Sequence, residues 1–161
     1  MKCEVWEWKP GRSVGPLKFL MYRSNVRAEF AKLNLQYTDY LNQNCFYIDN
    51  NKTKNTRTIT NSDDMFNSGL VRCSYTRDNK FSSISFERGC KFQITYNGKA
   101  IFPGTVGNLK ELIRGIYIDD DSFHQDSKGL YFCISPKYYS HFDEPDDIDI
   151  RYIAFSTLSL R

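Results

Sequence analysis

Apolar residues recur along this chain at two spacings, one helical and one alternating. Residues 108–116 (Asn-Leu-Lys-Glu-Leu-Ile-Arg-Gly-Ile) are apolar at Leu109, Leu112, Ile113 and Ile116. That i, i+3, i+4, i+7 spacing predicts a helix with one buried face. Asn108, with Glu111 three residues on, resembles a capping box. Val26, Phe30, Leu33, Tyr37, Tyr40 and Leu41 keep helical spacing earlier in the chain, with Ser24 or Asn25 as the cap. Elsewhere the pattern has the strand period of two. It does so over residues 3–8, 17–21, 69–75, 81–86, 90–96, 99–103, 129–135 and 150–155. Asn97-Gly98 suits a type I′ hairpin turn, because both residues tolerate positive φ, and residues 76–80 form a second short turn. Residues 49–64, rich in Asn, Thr, Lys, Ser and Asp, read as a polar loop behind a short strand over 45–48.

A shift of 83 residues sets Gly15 beside Gly98 and lays Leu17 on Ala100, Phe19 on Phe102, Val26 on Leu109 and Phe30 on Ile113. Each half then reads strand, strand, helix, strand, strand. The expectation is a single α+β domain over residues 1–161, built from two fused pseudo-repeats at about 1–88 and 89–161. Their antiparallel sheets pack with two main helices. One half alone, of roughly 80 residues, buries only a thin core, so the halves are expected to share one.

Composition narrows the class. Hydrophobic residues make up 40% of the 161 residues and aromatic residues 16%, enough for a core and a share that favours sheet. No run reaches the ~20 apolar residues of a membrane span, and the amino-terminal residues lack the apolar stretch of an export signal. The five cysteines (Cys3, Cys45, Cys73, Cys90, Cys133) are odd in number, widely spaced and form no Cys-x-x-Cys. Buried thiols in a reducing, cytoplasmic compartment are expected.

Candidate chemistry is sparse. His124 and His141 lie among acids and are the candidate proton shuttles. A nucleophile to serve them is missing: there is no Gly-x-Ser-x-Gly and no cysteine in a basic setting. The acidic runs lack the spacing of an EF-hand, no cysteine–histidine spacing supports zinc, and no phosphate-binding loop occurs. The chain is therefore read as a binding protein, not an enzyme, with no metal and no cofactor. One candidate partner is single-stranded nucleic acid, since Lys18, Phe19, Tyr22, Arg23, Arg27 and Phe30 interleave aromatic and basic side chains.

Charge gives a sharper signal. Residues 1–118 carry a formal +8, residues 119–149 a formal −7 and residues 150–161 a formal +2. Nine acids fall within the 31 residues of that middle segment, in two stretches that border the strand at 129–135, one at each end. Such crowding is unfavourable unless solvent or a basic partner relieves it. Asp119, Asp120, Asp121, Asp143, Glu144, Asp146, Asp147 and Asp149 are the candidate partner-binding acids, with Tyr138 and Tyr139 as anchors.

Two segments carry a family resemblance: Trp8-Lys-Pro-Gly11 through Val14-Gly-Pro-Leu-Lys-Phe19, and Gly129-Leu-Tyr-Phe-Cys-Ile-Ser-Pro136 with its acidic tail. They resemble immunity proteins of bacterial contact-dependent growth inhibition and other polymorphic toxin systems. The duplicated layout is also similar to the Whirly fold, although the Lys-rich DNA-binding motif of that family is missing. The first resemblance implies stoichiometric neutralisation of a cognate toxin domain in the cytoplasm. A nuclease with a basic groove would fit the acidic segment.

Overall fold

Strict alternation of buried and half-buried residues builds the central strands, as in Leu130–Ile134, where Leu130, Phe132 and Ile134 are buried and Tyr131 and Cys133 are not. The computed structural model describes residues 2–41, 62–119, 122–134 and 148–158. Among them lie strands β1 (Glu4–Lys9), β2 (Ser13–Val14) and β3 (Leu17–Lys18), then helix α1 (Arg23–Ala31). Next come β4 (Thr38–Leu41), β5 (Ser62–Phe66), β6 (Val71–Tyr75) and β7 (Phe81–Glu87). The second half holds β8 (Phe92–Tyr96), β9 (Lys99–Phe102) and helix α2 (Val106–Leu112). It ends with β10 (Tyr117–Asp119), β11 (Ser122–Gln125), β12 (Leu130–Ile134) and β13 (Ile150–Ser156).

These described strands form two sheets, ordered β3-β2-β1-β8-β9 and β10-β11-β12-β13-β7-β6-β5-β4. The architecture is mixed α+β, mostly antiparallel sheet with two helices. One pairing departs from the antiparallel expectation: β1 and β8 run parallel, with Trp6 opposite Ile94. Asn97 and Gly98 both have positive φ, at 50° and 76°, as the expected hairpin turn between β8 and β9 requires.

The core lies between the sheets. Trp6 packs on Phe86 and Phe92, and Trp8 on Phe155, so the five-stranded sheet sits across the middle of the eight-stranded one. Phe30 of α1 stacks on Phe66 of β5 at 3.7 Å, which covers one flank. Phe123 and Phe132 stack at 4.6 Å within the other flank. Burying a side chain of this size contributes about 1.5–3 kcal/mol. Close approach fixes Gly15, where φ is +57° and a Cβ would stand 2.5 Å from the Trp6 ring. No helix among the described residues is long and apolar enough to cross a membrane.

Several local expectations are corrected. The first helix stops at Ala31 instead of continuing through Leu41. Asn34 enters the left-handed region at φ 58°, and Tyr40 and Leu41 belong to β4. Neither Ser24 nor Asn25 caps α1; its N-cap is Tyr22, with no side-chain cap bond. The hairpin takes that role, since Arg23 N–H donates to Asn79 O at 2.9 Å. In α2 the cap is Thr105, whose side chain accepts from Asn108 N–H at 3.2 Å, so Asn108 lies inside the helix. Residues 62–64 are not loop but strand. The short strand expected at 45–48 lies outside the described residues.

Candidate functional site

The register of the eight-stranded sheet decides where the acidic segments emerge. Asp119 pairs with Ser122, Ser122 with Cys133, and Ile134 with Ile150. The connection at 120–121 and the connection at 135–147 therefore begin and end at the same end of the sheet. The sequence alone places them at opposite ends of one strand. What it missed is β11, which folds back along β12 within a stretch that looks like a polar linker. Asp119 and Asp149 are both exposed at this end. The other expected partner-binding residues (Asp120, Asp121, Asp143, Glu144, Asp146, Asp147, Tyr138, Tyr139) lie outside the described residues, as does His141.

Asp149 already has an internal neighbour. Arg88 Nη2 stands 3.1 Å from its Oδ1, with the two side chains 40% and 60% exposed. A pair so exposed contributes little to stability. The opposite end of the sheet, where β6 turns into β7 and β11 into β12, holds Asp78 and Asp126 with Lys128. There the hairpin between β6 and β7 presents Arg77 and Lys80.

A second group was not anticipated. Asp64, fully buried on β5, accepts from both nitrogens of two arginine forks. Arg27 Nε and Nη2 each lie at 2.8 Å, and Arg23 Nε lies at 3.1 Å with Nη2 on the other oxygen. Tyr75 Oη donates to the same carboxylate at 2.8 Å. Burial alone would raise the Asp64 pKa; the bonds from Arg27, Arg23 and Tyr75 outweigh it and hold the carboxyl below its ordinary value. Next along the strand, Asp63 is buried against Arg72 Nε. Two adjacent aspartates suggest a loop, yet Asp63 is paired with Arg72 and Asp64 with Arg23 and Arg27, which is what permits burial. The signal available in the sequence was Arg23 and Arg27, one helical turn apart on α1. Phe30 is in the core and Arg23 and Arg27 grip Asp64, so this part of the basic, aromatic stretch is committed internally. A cleft of about 620 Å³ runs beside α1, lined by Ala28, Ala31, Leu35 and Tyr37, with Arg27 3.5 Å over the Tyr37 ring.

On the sheet face away from the core, four rings form a row across four strands. Tyr117 stacks on His124 at 5.5 Å, His124 meets Tyr131 edge-on at 5.1 Å, and Tyr131 meets Tyr152 edge-on at 5.8 Å. Tyr117 Oη donates to Asp126 Oδ2 at 2.7 Å. His124 Nε2 lies 3.0 Å from Ser122 Oγ, and that hydroxyl also donates to Asp119 O at 3.1 Å. The carbonyl can only accept, so it takes the serine proton and the histidine is left to donate to Ser122. That arrangement closes the β10–β11 hairpin and does not activate a nucleophile.

Three of the described thiols resist ionisation. Burial raises the Cys73 pKa, helped by Asp64 and Asp63, and burial likewise raises Cys90 and Cys133. Of the described thiols Cys73 alone is buried as expected, Cys90 and Cys133 are half-buried and Cys3 is exposed, while Cys45 lies outside the described residues. Among the described residues no group of three or more His, Cys, Asp or Glu is placed to hold a metal ion. In comparisons with protein-family models, curated proteins and solved structures, the chain matches none.

Proposed function

We propose that this chain is a cytoplasmic immunity protein that binds a cognate toxin domain and neutralises it by stoichiometric occlusion. The observation that carries the reading is the register described above, which leads both acidic connections out at one end of the eight-stranded sheet. Eight acids (Asp119, Asp120, Asp121, Asp143, Glu144, Asp146, Asp147 and Asp149) belong to those connections or border them. A concentration of one sign steers a basic partner and fixes its orientation. A toxin that grips nucleic acid presents such a basic surface.

The duplicated, Whirly-like layout belongs to the same proposal, and the strand order supports it. From either edge, the large sheet runs through four consecutive strands to the β13–β7 junction. The residue before each helix makes a matching bridge, Tyr22 to Lys80 and Thr105 to Asp149. In this reading Lys80 and Asp149 are corresponding positions of opposite sign, so duplication followed by charge divergence accounts for the change of sign between them. The alternative, a single-stranded nucleic-acid-binding module, loses part of its support with Arg23, Arg27 and Phe30 turned to internal tasks.

The test is co-expression with the product of the adjacent gene. A 1:1 complex and rescue of growth from that protein's toxicity are expected. A toxin-encoding neighbour that forms no complex and is not neutralised would refute the reading, and salt-sensitive retardation of single-stranded DNA would favour the alternative.

A further inference from the structure

The row Tyr117–His124–Tyr131–Tyr152 has no part in the core. Its members sit at alternate positions to Phe123, Phe132 and Ile153, which are buried on the inner face. Tyr117 at the sheet edge is 46% exposed. The charges around the row lean negative. Asp126 holds the Tyr117 hydroxyl, Asp119 follows on the same strand face, and Glu87 lies opposite Tyr152, against Arg151 nearby and Arg72, which is itself held by Asp63. Both Glu87 and Arg151 are close enough to Cys133, on the same face, to affect its ionisation.

Aromatic faces rimmed by carboxylates suit one class of group, a planar cation. An arginine guanidinium stacks on tyrosine and reaches a carboxylate with its fork, whereas lysine offers only a point charge. A nucleobase would use the same rings, but its phosphates would meet Asp119, Asp126 and Glu87. We infer that this ring row is a docking surface for arginine side chains of a basic protein partner. The inference rests on the proposed reading of a basic toxin partner and adds where, and through which side chain, that partner is recognised.

Calorimetric titration of the whole chain with blocked hexa-arginine, blocked hexa-lysine and an oligo-dT strand tests it. Hexa-arginine should bind about three- to fivefold more tightly than hexa-lysine. Tyr131→Leu and Tyr117→Leu should each abolish that preference while Tyr131→Phe keeps it, with unchanged circular dichroism as the check on folding. Equal affinity for the two peptides, no effect of removing the rings, or ring-dependent binding of oligo-dT instead would overturn the inference. Should the peptides fail to bind while the toxin complex forms and is lost on reversing the acids, the arginine surface is wrong and the immunity reading stands. Failure of the toxin complex alongside ring-dependent arginine binding would give the converse.

Discussion

Arg88 and Asp149 meet at the acidic end, Nη2 to Oδ1 at 3.1 Å, joining the end of β7 to the residue before β13. Arg88 N–H also donates to Arg151 O at 2.8 Å, a shorter bond than the one its side-chain Nε donates to Ile150 O at 3.4 Å, so the main anchor of the backbone there is the backbone itself. The ion pair therefore trims the negative field more than it holds the fold. Arg88→Ala is expected to change stability by less than about 1 kcal/mol. The same change should raise the association rate with a basic partner at low salt and leave it nearly unchanged at high salt. Stopped-flow binding at two ionic strengths checks both parts.

Asp64 ties β5 to α1 through Arg23 and Arg27. Removing its charge would leave Arg23 and Arg27, 13% and 28% exposed, without their shared carboxylate. Asp64→Asn is expected to cost about 3 kcal/mol or more in denaturant unfolding. The pH dependence follows from the lowered pKa. A carboxylate depressed in the folded state stabilises above its unfolded pKa, and that stabilisation fades as pH falls through the lower folded value. The wild type should lose stability progressively below about pH 4. The Asn variant should be flatter in that window.

The second helix separates two candidate caps. Thr105 Oγ1 accepts from Asn108 N–H, while Asn108 lies within the helix. Thr105→Ala should cost about 1 kcal/mol and Asn108→Ala much less. Thermal unfolding of the two variants decides between the observed cap and the one the sequence motif suggests.

How much of this was legible beforehand depends on the kind of signal. The β6, β8, β12 and β13 strands follow from alternation, because one face of each is buried and the other is not, whereas β7 buries Ser82 and Ser85 along with its apolar residues. The Asn97-Gly98 turn follows from positive φ alone. β5 was hidden because buried charge is excused only by partners distant in sequence, and Arg23 lies 41 residues from Asp64. β10 and β11 were hidden because an edge hairpin can be polar on one face, and Ser122-Phe123-His124-Gln125 buries Phe123 alone. The acids themselves were visible at once. Which end of the sheet they occupy required the register.

The most direct test is the affinity of the complex with the adjacent gene's toxin domain, measured across a range of salt for the wild type and for a variant carrying Asp119→Lys, Asp121→Lys and Asp149→Lys. Attraction through the acidic end requires the variant to lose at least about tenfold at low salt and to show a flatter dependence on salt, with the fold intact. Affinity and salt slope indistinguishable from the wild type would contradict it.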